Sequence, residues 1–217
     1  GMLFSATDVE NYLGTIAING FELTEQFKAH AQHCGATTIP KNITAVNFEN
    51  PQALQVTDED GIIYNTKSVI ICTGASAKRL GIKGEDKFWQ KGISACAVCD
   101  GASPIYRKKP LAVNGGGDTA CEEALFLTKF ASKVYLIMRR DEFRASKVMA
   151  TRVKKNPKIE IIYNTIVEEA LGSGATLESL TLVNVKSNEK TNLQVNGLFY
   201  AIGHNPNTAL FKGIIDL

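Results

Sequence analysis

"PLAVNGGGDTACEEALFLTKF", residues 110–130, is the stretch that decides how this chain is to be read. A short, mostly apolar run ending at Asn114 meets three consecutive glycines, and a helical pattern follows with Ala120, Ala124 and Leu127 spaced for one face. Strand, glycine turn and helix in that order, with G-x-G-x-x-A at residues 115–120, is the context that a dinucleotide-binding turn requires. Gly115 permits the tight turn, Gly117 lets backbone N–H groups approach a pyrophosphate, and Ala120 lets the helix lie close on the strand. The helix N-terminus at Asp118 and Thr119 then faces the anion. A glycine-rich strand-to-helix turn can also be purely structural, and Asn114 stands where an apolar residue would normally pack.

Downstream, "KVYLIM" is a second buried strand, which completes a βαβ unit and so predicts a parallel sheet with a right-handed crossover. An NAD site usually carries Asp or Glu at the end of that second strand. Here the sequence is "MRRDEFR", with Arg139 lying 22 residues beyond Gly117. Arg139 and Arg140, joined by Arg144, favour a ribose 2′-phosphate, and therefore NADP(H), through charge-assisted and often bidentate hydrogen bonds. A solvated basic cluster between strand and helix is the alternative. Further on, a helix is predicted over "ASKVMATRVKKN", stopped by Pro157, with strands at "KIEIIYN", "LESLTLVNV" and "NLQVNGLFYAIG".

Upstream stands "CAVCDG", residues 96–101. A C-x-x-C pair can be half of a zinc site, two small buried residues, or a redox dithiol. Zinc needs about four ligands. Among His30, His33, Cys34, Cys72, Cys121 and His204 there is no second close pair, and His30, His33 and Cys34 fall along a predicted helix. A redox dithiol uses one thiolate to attack a partner disulfide and the second to resolve the mixed disulfide. Asp100 would offer a proton to the leaving thiolate, or would simply serve the Asp-Gly turn. A nicotinamide cradle near a dithiol suggests electron flow to a disulfide, and a flavin normally mediates such a transfer.

The first third has a different texture. "ELTEQFKAHAQH" suits an amphipathic helix through Leu23, Phe27 and Ala31, with Gly20 as the breaker before it. "NITAVNF", "ALQVT" and "GIIYN" alternate with turn sequences as a meander. "KSVIICTGA" is a continuous apolar run, expected as a buried strand. A domain boundary is expected near residues 78–84, giving one domain from 1–78 with 204–217 and another at 79–203.

Composition sets the outer limits. At 217 residues, 44% of them apolar, the chain can bury one sizeable core or two small ones. Its 24 basic and 22 acidic residues exert no chain-wide pull toward nucleic acid or anionic membrane. No apolar run approaches the roughly 20 residues that span a bilayer, and no signal-peptide order opens the sequence. The expectation is a soluble protein of the cytoplasm, with a plastid protein lacking its leader as the alternative. Five scattered cysteines with one close pair argue against a disulfide framework.

"GISACAVCDGASP", "GGGDTACEEALFLTKFASKVYLI", "RRDEFRASK" and "GLFYAIGHNPNTALF" closely resemble the low-molecular-weight thioredoxin reductases, which are FAD- and NADPH-dependent disulfide reductases. "TDVENYLG" and "ICTGASAKRL" look like segments of that family's FAD domain. The resemblance implies an α/β fold: a Rossmann-like NADPH domain with a parallel sheet, plus a partial FAD domain containing a β-meander. It implies that Cys96 and Cys99 form the redox disulfide, Cys99 beside the flavin and Cys96 attacking thioredoxin, with Asp100 as the acid. It places Gly115, Gly117, Asp118, Thr119 and Ala120 at the pyrophosphate, Glu122 near the nicotinamide, and Arg139, Arg140 and Arg144 at the 2′-phosphate. Asn11, Thr73, Gly74 and Ala75 correspond to segments lining FAD. The family is usually dimeric, and its NADPH domain rotates on hinges that would fall near residues 78–84 and Gly203.

The departures are also specific. Family members begin with a strand and G-x-G-x-x-G for the ADP half of FAD and end with a Gly-Asp segment at the flavin, and neither is present in these residues. Met2 and Phe4 replace a usual Gln and Thr, and Met138 stands where the family often carries His. The expected activity is thioredoxin-disulfide reduction by NADPH through FAD. The competing readings are a truncated relic that binds NADPH without FAD or turnover, and a relative of the alkyl hydroperoxide reductase flavoproteins. "CAVCD" favours the thioredoxin branch.

Overall fold

The structure, a computed structural model, describes residues 2–5 and 9–216. Thr7 and Asp8 of the "TDVENYLG" segment, and Leu217, lie outside the described residues. The chain divides into two compact units: Gly1–Ser76 with His204–Leu217, and Ala77–Gly203.

In the first unit, α1 (Gly20–His33) begins at the supposed breaker: Asn19 is the N-cap, its side chain accepting the Phe21 N–H at 2.9 Å, and Gly20 is the first helical residue. Of the predicted apolar face only Leu23 is buried, in a small cluster with Val9 and Ile18. The expected meander forms from β1 (Ile43–Asn47), β2 (Leu54–Asp58) and β3 (Ile63–Thr66), paired antiparallel in that order. The turn before β3 is fixed by Asp58, whose carboxylate accepts the N–H groups of Asp60 and Ile62 and the hydroxyl of Tyr64.

"KSVIICTGA" departs from expectation. Residues 67–74 form no strand, and Ile70 is 88% exposed. A continuous apolar run becomes a central strand only where neighbours occupy both edges and cover both faces, and no described strand pairs with these residues. Only β4 (Ala75–Ala77), a three-residue strand, follows.

The second unit follows the βαβ expectation. After α2 (Glu85–Phe88), β5 (Ile93–Ser94) and α3 (Ala97–Asp100) come β6 (Pro110–Asn114), α4 (Asp118–Leu127), β7 (Lys133–Ile137), α5 (Lys147–Lys155) and β8 (Ile159–Ile162). Pro157 follows α5 directly after its C-cap Asn156. Next comes an antiparallel meander of β9 (Thr165–Leu171), β10 (Ser179–Asn184) and β11 (Lys190–Gln194), then β12 (Gly197–Tyr200). Strand β9 was not expected, and the run "NLQVNGLFYAIG" breaks at Val195 and Asn196 into strands of two different sheets. The chain then reaches β13 (His204–Pro206), which pairs with β4.

The main sheet has the order β5-β12-β6-β7-β8 and is parallel throughout. One core cluster gathers Ala120, Cys121, Ala124 and Leu127 of α4 with Leu111, Val113, Val134 and Leu136. The other sets Ala112, Ile137 and Leu198 against Val167, Leu180 and Leu182 of the meander. Alternate strand residues therefore serve opposite faces.

The segment expected to contain a hinge is anchored within this unit. Buried Glu85 accepts the N–H groups of Leu80 and Gly81 and the Tyr200 hydroxyl at 2.7 Å, and pairs with Arg79 at 3.2 Å. Burial, then the Glu85 carboxylate, raises the Tyr200 phenol above its ordinary range.

Candidate functional site

Strand β6 is the switch point of the parallel sheet: the next strand in sequence, β7, lies on one side of it and β12 on the other. Ligands of doubly wound sheets bind outside the strand C-termini at such a point. A cleft of about 620 Å³ opens there, lined by the 115–117 glycines, Met138, Arg139, Arg140, Glu142 and Arg144 among others.

The glycines differ in what they permit. Gly115 has φ +155°, and a Cβ there would stand 2.5 Å from the Ala201 carbonyl oxygen and 2.9 Å from the Ala120 Cβ. No larger residue fits without displacing backbone. At Gly117 a Cβ would meet nothing within 4 Å, so the missing side chain leaves open the space into which an anion would settle. Ala120 is fully buried, whereas Asp118 and Thr119 are exposed at the start of α4. The Asp118 carboxylate accepts the Ser146 N–H and hydroxyl, both at 2.9 Å, which leaves it tied to the start of α5.

The arginine loop is bound to the glycine loop. Arg144 and Ala145 donate their N–H groups to the Gly116 carbonyl at 2.8 and 3.2 Å. Arg139, Arg140 and Arg144 are exposed, line the same cleft, and form no ion pair among the described residues. Three guanidiniums without an ion pair among the described residues, in one cleft with a glycine turn, fit a dinucleotide with an additional phosphate. Glu122 is exposed on α4 and does not line the cleft.

Cys96 and Cys99 form a disulfide whose Cα atoms are 5.3 Å apart. Neither sulfur lines the cleft; α3, which carries the pair, packs on α4 through Ala97, in one cluster with Ala120, Cys121 and Ala124. Gly101 permits this approach, since a Cβ there would stand 2.6 Å from the Leu127 side chain. Ser94 organises the polar side: its hydroxyl donates to Asp100 and accepts the Cys96 N–H at 3.0 Å. The Cys99 N–H points to the Cys96 sulfur at 3.2 Å. Burial, reinforced by Asp100, pushes the neighbouring Tyr106 phenol up to about 12. Cys121 is a third nearby thiol, pushed up to about 11 by burial and then by Asp118 and Glu122, so it stays protonated and unreactive.

In the first unit, Gly74 has φ +67° with open space at its Cβ position. Asn207 braces the segment, its side-chain amide donating to the Thr73 carbonyl and its backbone N–H to the Gly74 carbonyl, both at 3.0 Å. Ala75 starts β4. This approachable backbone fits contact with a flavin nucleotide. Asn11 is exposed in the loop before α1, and no described hydrogen bond joins it to Thr73, Gly74 or Ala75.

Sequence reasoning did not single out Ser94, Ser146 or Glu123. Burial pushes the Glu123 carboxyl up to about 7, against the opposing pull of the Ala97 N–H. A second glutamate in "CEEA" on a helix with a buried face was the available signal.

Among the described residues no group of His, Cys, Asp and Glu could hold a metal ion, and no helix is long and apolar enough to cross a membrane.

A family profile described as "Pyridine nucleotide-disulphide oxidoreductase" matches residues 7–215. The chain is 52% identical over 221 residues to a thioredoxin reductase of Schizosaccharomyces pombe, covering all of this chain and 68% of that protein. It is 49% identical over 219 residues to the mitochondrial thioredoxin reductase 2 of Saccharomyces cerevisiae, covering all of this chain and 64% of that one. Among solved structures, the Lactococcus lactis thioredoxin reductase in its FR conformation superposes with a TM-score of 0.78 at 34% identity, over 100% of this chain and 71% of that one. The Giardia duodenalis enzyme gives 0.74 at 40% identity, over 97% and 67%. The chain thus spans about two thirds of the length of the curated relatives it matches.

Proposed function

The chain belongs to the pyridine nucleotide-disulphide oxidoreductase family, on its thioredoxin reductase branch, and from that premise we propose that it carries the NADPH site and the redox disulfide of a thioredoxin-disulfide reductase. In this reading residues 79–203 are the NADPH domain, and residues 1–78 with 204–217 contribute to an FAD domain. The observation that carries the proposal is the cleft lined both by the glycine turn and by three arginines that form no ion pair among the described residues, in the same unit as the Cys96–Cys99 disulfide.

Each residue has a role its chemistry supports. Gly115 and Gly117 admit the pyrophosphate to the start of α4, with Ala120 holding that helix close to the sheet and Asp118 and Thr119 at its first turn. Arg139, Arg140 and Arg144 hold the 2′-phosphate; Glu122, exposed on α4 and outside the cleft, is assigned to the nicotinamide end by the family resemblance alone. Thr73, Gly74, Ala75 and Asn11 line the flavin nucleotide. When bound, NADPH supplies a hydride and FAD relays its two electrons toward the disulfide. Ser94 holds Asp100 beside the pair, where the carboxyl gives a proton to the leaving thiolate. Cys96 attacks the disulfide of thioredoxin and Cys99 resolves the mixed disulfide. The partners are thioredoxin and a second copy of the chain in a homodimer, with neither nucleic acid nor membrane, and the cytoplasm is the proposed location.

The test is the double substitution Arg139→Ala with Arg140→Ala, with binding of NADPH and NADH measured separately by titration calorimetry. Loss of two charged hydrogen-bonding groups should weaken NADPH roughly 100-fold or more and NADH only a few-fold. Equal losses would remove the 2′-phosphate assignment.

A further inference from the structure

Glu123 lies on α4, on which α3 packs. Its Oε2 is shut off from solvent and has no hydrogen-bond partner among the described residues, and the backbone N–H of Ala97 is the group that acts on the carboxyl against its burial. Ala97 follows Cys96 directly and opens the single turn that carries the disulfide. An acid buried without a full set of partners is costly when ionised. Nothing in the fold requires one here, since Ala120, Cys121, Ala124 and Leu127 already supply the buried face of α4.

We propose that Glu123, on the helix against which α3 packs, is a positioning residue for the Cys96–Cys99 pair: its charge state sets how readily the reduced pair ionises. The inference rests on the reading of that pair as redox-active. Reduction breaks the S–S bond, takes up two electrons and two protons, and leaves two thiols; ionisation of one thiol then releases one proton to solvent. A neutral Glu123 leaves that ionisation unopposed. An ionised Glu123 adds a negative charge close to the turn and opposes it. The carboxyl is held up to about 7 by burial, so the change in its charge falls within the working range of a thiol.

Other charges do not account for the same behaviour. On α3 the titratable groups are the two sulfurs and Asp100, the latter bonded to Ser94. The helix itself offers Asp118, committed to Ser146, exposed Glu122 and the buried thiol Cys121, which burial holds protonated. On the elements packed against α4, Lys147, Arg152, Lys154 and Lys155 belong to α5, and Lys133, paired with Glu160, and Tyr135 belong to β7. None of these forms an ion pair or hydrogen bond with Glu123 among the described residues.

The experiment is alkylation of the chain, reduced with dithiothreitol, by iodoacetamide from pH 5.5 to 9. Cys96 and Cys99 are followed by peptide mass spectrometry, so that exposed Cys34 and Cys72 do not contribute. In the wild type the rate should climb less steeply above about pH 7, where Glu123 ionises. Glu123→Gln keeps the size of the side chain and removes the charge; it should erase the break and raise the rate at pH 8 roughly 3- to 10-fold, a half to a full pKa unit. A reducible pair with the same profile in both proteins overturns the inference and leaves the redox reading standing. A wild-type profile that fits one thiol titration without a break overturns it whatever the variant does. A pair that dithiothreitol cannot reduce overturns both.

Discussion

"KVYLI" and "SVIIC" are five-residue runs of similar character with opposite outcomes. The first is β7, hydrogen-bonded between β6 and β8, with Val134, Leu136 and Ile137 fully buried. The second, residues 68–72, makes no strand and leaves Ile70 exposed. The contrast extends to their units. The second unit covers both faces of a five-stranded sheet with two large apolar clusters, whereas the buried cluster of the first holds three of the described residues, with Leu13 and Ile16 each 96% exposed. Hydrophobicity supplies the tendency to be buried; neighbouring strands decide whether it becomes structure.

The strongest way to break this comparison is hydrogen exchange. Amides of β6, β7 and β12 should open only with global unfolding of their unit, while those of residues 67–74 should exchange nearly as fast as unstructured peptide, a contrast of about 1000-fold or more. Mass-spectrometric exchange resolved by peptide checks it. Slow exchange across 67–74 would mean that this run has strand partners after all.

Glycines sharpen the contrast on a smaller scale. Gly115→Ala combines a positive φ with collisions against the Ala201 carbonyl and Ala120, and should cost about 3 kcal/mol. Gly74→Ala meets only its own backbone strain at φ +67°, with nothing within 4 Å, and should cost about 1 kcal/mol. Urea unfolding of each variant measures both. Equal costs would show that the 115–117 turn is no more tightly packed than the 73–75 segment.

The glycine loop, the βαβ order and the arginine cluster were legible because each is local: a turn geometry, a period and a spacing within one stretch of chain. The same holds for the meander of residues 43–66, where turn residues separate alternating runs. What escaped depends on tertiary neighbours. Strand β9 carries a two-residue alternation, with Thr165 and Val167 buried and Ile166 and Glu168 exposed, but the charges of Glu168 and Glu169 hid it. Val195 and Asn196 gave no sign that β11 and β12 would join different sheets. Glu123 and Glu85 look like ordinary surface acids until the elements beside them are in place, since burial of a carboxylate is a property of the fold and not of its own stretch of sequence.

Two acids, Asp58 buried and Glu123 half-buried, extend the comparison to pH, with the smallest effect. Asp58 in the first unit is 2% exposed; burial works against its ionisation, but bonds from Ile62, Tyr64 and Asp60 outweigh it and hold the carboxyl below the usual range. Its bonds therefore stabilise the unit above about pH 4 and fade as pH falls through the lowered value. Glu123 runs the other way. Folded, it binds its proton up to about pH 7, against an ordinary value of 4.5, so between those values the folded chain holds more protons than the unfolded one. Stability consequently declines as pH rises through that window. The full shift corresponds to about 3 kcal/mol, and partial solvent contact reduces it to about 1 kcal/mol. Glu123→Gln should therefore stabilise the second unit by about 1 kcal/mol at pH 8 and leave it unchanged at pH 4, read from Trp89 fluorescence in urea. Asp58→Asn should do the reverse in the first unit, destabilising β1–β3 at neutral pH and losing that effect in acid, read from exchange of their amides. A Glu123→Gln gain that is equal at pH 4 and pH 8 would mean that the glutamine packs better, and that the buried carboxyl carries no proton-linked cost.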